Sequence, residues 1–250
     1  MNLKEFDYEF DLNGFVVLKK IVPKSKILKA NNILSKIEKD QLKLPQGVYF
    51  GKSKNNDEAY ISNILSAGRV FEELATIPNI LKYLSHITSN FFRLNHAVAM
   101  IKFKKNSFTP LHMGNVPLHP KIFYFVKNGK IFSNVTKVVF PLLNNSISDG
   151  GFSVIKGSHK SNFKRPYDDN PKNNHLLEHV DAKPGDAILF TESLAHGSGI
   201  NKTDRTRRIL SYCYSVKYMP DWKKFGLNFS KEYINTCPKK IKKLISLKSD

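Results

Sequence analysis

From residue 93 to residue 218 the chain runs in short apolar stretches broken by turn signals, with no helical period between them. The segment Arg208–Tyr218 shows this best. Leu210, Tyr212, Tyr214 and Val216 alternate with Ser211, Cys213, Ser215 and Lys217, the two-residue period of a strand with unlike faces. Further strands are expected at Ala97–Lys105, Val135–Leu143, Gly151–Ile155 and Ala187–Phe190. Turns fall between them at Asn128-Gly129, Asp149-Gly150-Gly151 and Pro184-Gly185-Asp186. Parallel strands need long crossovers, usually helical. Strands that follow one another without such helices therefore point to antiparallel sheets stacked face to face.

The first ninety residues obey a different rule. After a short strand, Phe15–Leu18, entered through Gly14, the segment 25–39 places Ile27, Ile33, Leu34 and Ile37 on one helical face with lysines opposite. A second helix is expected over 62–74. A third starts at Thr76, with Pro78 in its first turn and Ile80, Leu81, Leu84 and Ile87 as its apolar stripe. Residues 165–179 read as a long polar loop and 238–248 as a short basic helix. One domain is expected: a mainly β double-sheet core over 93–218, a mostly helical part over 1–92 packed outside it, and a C-terminal extension over 219–250.

Composition narrows the function classes. No stretch approaches the ~18 apolar residues of a membrane span, and MNLKEFDYEF is too polar for a secretory signal. The two cysteines, Cys213 and Cys237, exclude a disulfide scaffold or a thiolate zinc site and suit a reducing, cytoplasmic setting. The net charge of +19 invites a polyanionic partner. Only six of the 40 basic residues are arginine, however, and the lysines are scattered rather than clustered. Nucleic acid is therefore not the expected partner. The lysine, asparagine and isoleucine content reads first as base composition, with an anionic small-molecule substrate as the alternative. A basic β-sandwich binding nucleic acid or carbohydrate would call for exposed aromatics, whereas those here fall on core positions.

Histidine is scarce, eight residues in all. His112 follows a strand in Thr109-Pro110-Leu111-His112-Met113-Gly114, and His196 follows another in the block running from Pro184-Gly185-Asp186 to His196-Gly197-Ser198-Gly199. Arg207 opens the next strand. Two imidazoles delivered from strand ends, with an arginine close by, suit a divalent metal and a dicarboxylate held together. Each residue alone is more often a satisfied polar side chain. There is no nucleophile elbow, phosphate-binding loop or dinucleotide fingerprint to compete with this reading.

Taken in order, Asn13-Gly14-Phe15-Val16-Val17-Leu18, Asp149-Gly150-Gly151 with Gly157-Ser158-His159-Lys160, Pro184-Gly185-Asp186, His196-Gly197-Ser198-Gly199 and Arg207 resemble the phytanoyl-CoA dioxygenase superfamily over roughly residues 10–216. The resemblance implies a jelly-roll (double-stranded β-helix) core and iron(II)- and 2-oxoglutarate-dependent oxidation of a small molecule with O2, by a monomer or homodimer. It implies that His112 and His196 ligate iron and that Arg207 pairs with the distal carboxylate of 2-oxoglutarate, aided by Ser198 and Thr109. Phe140 would wall the cosubstrate, and the block around His159 would be structural. His86, His96, His119, His175 and His179 have no motif support, although His119 lies near His112 in sequence. The loops 43–60, 115–130 and 164–180 would shape substrate access.

One position departs from the pattern. Most members place a carboxylate two residues after the proximal histidine, where this chain has Gly114. In extended backbone, residues i and i+2 share a face, which lets one strand end supply two ligands; glycine supplies none. Iron halogenases of the superfamily resemble this sequence here, with chloride or bromide in the vacated position. Three readings follow: chlorination of an unactivated C–H bond, hydroxylation with water or a replacement carboxylate (Glu192 or Asp149) at the vacancy, and an inactive binding module. Retention of both histidines and the arginine argues against the third.

Overall fold

The computed structural model describes residues 1–40, 44–103, 108–113, 121–170, 174–221 and 226–246. Its six helices are α1 Leu3–Asn13, α2 Lys24–Lys39, α3 Arg69–Ala75, α4 Pro78–Ile87, α5 Lys231–Thr236 and α6 Lys239–Ile245. The strands are β1 Phe15–Leu18, β2 Tyr49–Lys52, β3 Glu58–Ser62, β4 Phe92–Lys102, β5 Thr109–His112, β6 Tyr124–Lys127, β7 Lys130–Ser133, β8 Val135–Pro141, β9 Phe152–Val154, β10 Glu178–His179, β11 Ala187–Thr191, β12 His196–Ser198 and β13 Arg207–Val216. A seven-stranded antiparallel sheet runs β1-β11-β8-β13-β4-β3-β2, and a four-stranded sheet runs β10-β9-β12-β5. This is a jelly-roll core with helices outside. No described helix is long and apolar enough to cross a membrane.

Strand alternation gives the large sheet two different faces. Val138, Phe140, Leu210 and Tyr212 look outward into the core shared with the helices. Val139, Ile188, Phe190 and Ile209 look inward and meet Phe152 and Val154 of the small sheet. The helices are fixed as well as packed: the Tyr212 and Tyr214 hydroxyls donate to the carbonyls of Phe71 (3.0 Å) and Ala75 (2.9 Å) at the two ends of α3.

Several expectations shift. The helix expected over 62–74 divides at Gly68 into a 3-10 turn, Ile64–Ala67, and α3. The loop 43–60 contributes β2 and most of β3, which extend the large sheet along β4. Only Ala59 and Ile61 are buried along β3, too short an alternation to stand out. Helix α1 was not foreseen, yet it carries a capping box: Asn2 and Glu5 each accept the other's backbone N–H.

The Gly157-Ser158-His159-Lys160 block anchors α1. His159 is fully buried, with Nε2 on the Asp11 carbonyl at 3.1 Å and its ring edge-on to Tyr124. Burial, with Lys160 adding to it, pulls its pKa down to about 4 against a raising pull from Asp11. The unfolded chain takes up this proton near pH 6.5 and the folded chain does not until about pH 4. Stability is thus fully present above pH 6.5 and is lost as the pH falls towards 4, by about 3 kcal/mol for a shift of this size. Urea denaturation between pH 7 and pH 4.5 should show this loss, and His159→Gln should give a shallower pH dependence than the wild type.

Candidate active site

Strands β5 and β12 pair so that His112 lies directly opposite His196. Cross-strand neighbours bring side chains together, and the ring centroids are 4.1 Å apart, although the pairing shifts register between His196 and Ser198. The close approach requires Gly197, where a Cβ would sit 2.7 Å from the Thr109 carbonyl oxygen. The turn before β12 is held by the signature blocks: Ser158 Oγ accepts the Ala195 N–H at 2.8 Å, and the Ile155 N–H donates to the Ala195 carbonyl. On the other side, Arg165 donates to the carbonyls of Met113 (2.6 Å) and Leu111 (3.3 Å), so the polar loop secures the strand that carries His112.

Both rings are fixed in one tautomer. His112 Nδ1 contacts the Pro110 carbonyl at 3.0 Å and His196 Nδ1 the Leu194 carbonyl at 2.7 Å. A carbonyl only accepts, so each Nδ1 carries hydrogen and Nε2 is left as the atom able to offer a lone pair, the usual arrangement of a metal-binding imidazole. Burial, together with His112 and Lys137, holds the His196 pKa well below the ordinary imidazole value, against the pull of the Leu194 carbonyl. Phe190 and Phe152 pack against its ring at centroid distances of 4.8 and 5.9 Å.

Donor atoms of His112, His196 and Glu192 all lie within 4.8 Å of one another, among the described residues the one grouping of this kind. An ion about 2.1 Å from each donor holds adjacent donors about 3.0–3.4 Å apart, so the three need only close in slightly to share one ion. The donor chemistry, two nitrogens and a carboxylate oxygen, suits ferrous iron. Across a cavity of about 100 Å³ between the sheets, the large sheet contributes Arg207, Lys102, Lys137 and Val139, and the small sheet adds Thr109 and Ser198. Arg207 is 4% exposed. Burial lowers its pKa to about 10, partly offset by Glu58 and Asp149. Its Nε donates to Asn145 at 2.9 Å, and no carboxylate of the described residues forms an ion pair with it. A buried guanidinium without an anion fits an incoming carboxylate. Ser198 Oγ donates to Thr109 Oγ1 at 2.9 Å on the same cavity wall.

Other candidates fall elsewhere. Phe140 is on the outward face against Tyr212, and it is Val139, one residue earlier, that lines the cavity; a one-residue step along a strand changes the face. Asp149 is engaged by Ser146, Thr203 and Arg205, contacts that with burial opposing them leave its pKa below the ordinary value. Gly114 and His119 lie outside the described residues. The extended backbone assumed between His112 and residue 114 ends early: β5 stops at His112 and Met113 is left-handed, with φ of 64°.

Sequence reasoning overlooked Lys137. Its ammonium donates to Glu192 Oε1 at 2.8 Å inside the site. Burial works against this charge, but Glu192, with a smaller contribution from Cys213, more than compensates and raises its pKa. The signal was a lysine two residues before Val139 in an otherwise apolar strand, an inward position where the charge must find a partner.

The sequence profile described as phytanoyl-CoA dioxygenase matches residues 10–209. Peroxisomal phytanoyl-CoA dioxygenase of Homo sapiens is 27% identical over 233 residues, and that of Bos taurus 27% over 230; each match covers 81% of this chain and 65% of the relative's length. Among solved structures, HygX from Streptomyces hygroscopicus with nickel and 2-oxoglutarate bound superposes with a TM-score of 0.77 at 20% identity, over 89% of this chain and 90% of that one. SnoN, a non-heme alpha ketoglutarate dependent epimerase from nogalamycin biosynthesis, gives 0.63 at 16% identity, over 86% and 83%.

Because Gly197 admits no side chain, Gly197→Ala should separate β5 from β12. We expect a loss of about 1–3 kcal/mol in urea denaturation, accompanied by weaker binding of divalent metal.

Proposed function

The chain belongs to the phytanoyl-CoA dioxygenase family, and on that premise we propose that it is an iron(II)- and 2-oxoglutarate-dependent oxidoreductase acting on a C–H bond of a small molecule. The observation that carries this reading is the paired, tautomer-fixed His112 and His196 facing a buried Arg207 across one cavity. His112 and His196 hold the metal. Arg207 binds the distal carboxylate of 2-oxoglutarate, and the Ser198 and Thr109 hydroxyls add hydrogen bonds on the same wall. Met100, Val139 and Ile209 line the cavity with apolar surface, which excludes water and strengthens the contact of Arg207 with its anion. When bound, iron and 2-oxoglutarate supply oxygen activation coupled to decarboxylation of the cosubstrate to succinate and CO2. His112 is exposed while His196 is buried, so substrate approaches from the His112 side.

Chlorination is the second reading, carried by Gly114 in the sequence. Anaerobic addition of chloride to the protein loaded with iron and 2-oxoglutarate separates the two: a shift in the charge-transfer absorption supports halide binding, and an unchanged spectrum supports hydroxylation.

Arg207→Ala should raise the 2-oxoglutarate concentration needed for half-maximal succinate formation by roughly 30-fold to 1,000-fold, as expected on truncating one side of a buried charge pair. His196→Ala should abolish succinate formation. Unchanged succinate formation in either variant would contradict the assignment.

A further inference from the structure

The geometry points to Glu192 as the carboxylate ligand of the metal, supplied from the turn before His196 instead of from the residue two beyond His112. This inference rests on the metal site proposed above. Glu192 is 3% exposed, and its two carboxylate oxygens differ. Oε1 accepts the Lys137 ammonium at 2.8 Å, whereas Oε2 is buried with no hydrogen-bond partner. A buried carboxylate oxygen left unpaired is costly, and a cation at that oxygen removes the cost. The histidine pair, whose donor atoms lie within 4.8 Å of a Glu192 carboxylate oxygen, is the group that could place one there.

The backbone presents Glu192 for this role. Its own N–H donates to the Val135 carbonyl (2.9 Å), and the Leu194 N–H turns back to the Thr191 carbonyl (3.0 Å). That turn brings Glu192 within 4.8 Å of the donor atoms of His112 and His196, behind the cavity wall that His196 and Lys137 form. The Leu194 carbonyl within it also sets the His196 tautomer. Asp149, the other acidic candidate, is already engaged by Ser146, Thr203 and Arg205. At the proximal strand, the left-handed Met113 interrupts the extended backbone that an i, i+2 ligand pair requires. Lys137 then acts as a positioning residue: it holds one oxygen, leaves the other to the metal, and offsets the charge of the carboxylate. Gly114 need not mark a halide site, because a protein oxygen from the turn between β11 and β12 completes two histidines and a carboxylate.

The test is anaerobic titration of the full chain with cobalt(II), read by d–d absorption and by the metal-induced rise in Tm, for wild type, Glu192→Gln, Glu192→Asp and His196→Ala. Glu192→Gln should weaken cobalt binding by at least about 100-fold, beyond the 10–100-fold typical of residues outside the coordination shell, and should change the d–d spectrum of the remaining complex. Glu192→Asp keeps the charge but withdraws the oxygen by one methylene. It should also lose affinity and covers the case in which the amide variant fails to fold. Wild-type affinity and an unchanged spectrum in either Glu192 variant would overturn the inference while leaving the histidine site standing. Cobalt binding undiminished in His196→Ala would instead overturn the reading on which it rests.

Discussion

The site depends on one strand pairing. β5 and β12 are short, four and three residues, and their register sets His112 against His196. Everything around the pair serves that register. Gly197 lets the backbones meet, Ser158 Oγ and the Ile155 N–H hold the residue before His196, and Arg165 holds the carbonyls flanking His112. Short strands contribute few ladder hydrogen bonds of their own, so these side-chain ties supply what strand length does not. The blocks that mark the family in sequence are mostly this scaffolding. Asp186 accepts the Lys20 and Lys183 N–H groups, and Asn201 binds the Arg205 and Phe103 carbonyls. Both side chains tie together backbone segments that are far apart in the sequence or close a turn.

The large sheet divides the work between its faces. The outward face makes the main apolar core with the helices, which leaves the inward face free to carry charge. Lys102, Lys137 and Arg207 all face inward, and two of them are neutralised by protein carboxylates: Lys102 by Glu58 at 3.0 Å and Lys137 by Glu192. Among the described residues Arg207 has no such partner. That asymmetry is the electrostatic argument for a bound dicarboxylate, since an isolated buried cation is tolerated only when an anion or strong dipoles compensate it.

Much of this was legible in the sequence, and the exceptions have physical causes. The β13 alternation and the entry to α4 can be read from local pattern, because each rests on residues close in the chain. The two histidines stood out only through the order of blocks spread from residue 13 to residue 207. The Phe140 expectation failed by one position, since the inward face of β8 is set by its pairing with β11 and β13, which sequence does not specify. Strand β2 lies at the sheet edge, which needs few apolar residues, and β3 beside it buries only Ala59 and Ile61. The Lys137–Glu192 pair spans 55 positions; the lysine looked like one more member of a basic composition until the fold enclosed it. An i, i+2 ligand pair needs a strand that continues past His112, and the left-handed Met113 ends it.

The central claim is that His112, His196 and Arg207 form one metal and 2-oxoglutarate site. A crystal structure of the full chain grown anaerobically with nickel(II) and 2-oxoglutarate tests it most directly. The account predicts a metal about 2.1 Å from Nε2 of both histidines and the distal carboxylate of 2-oxoglutarate on the Arg207 guanidinium. A metal bound away from this histidine pair, or a 2-oxoglutarate that leaves Arg207 without an anion, would contradict it.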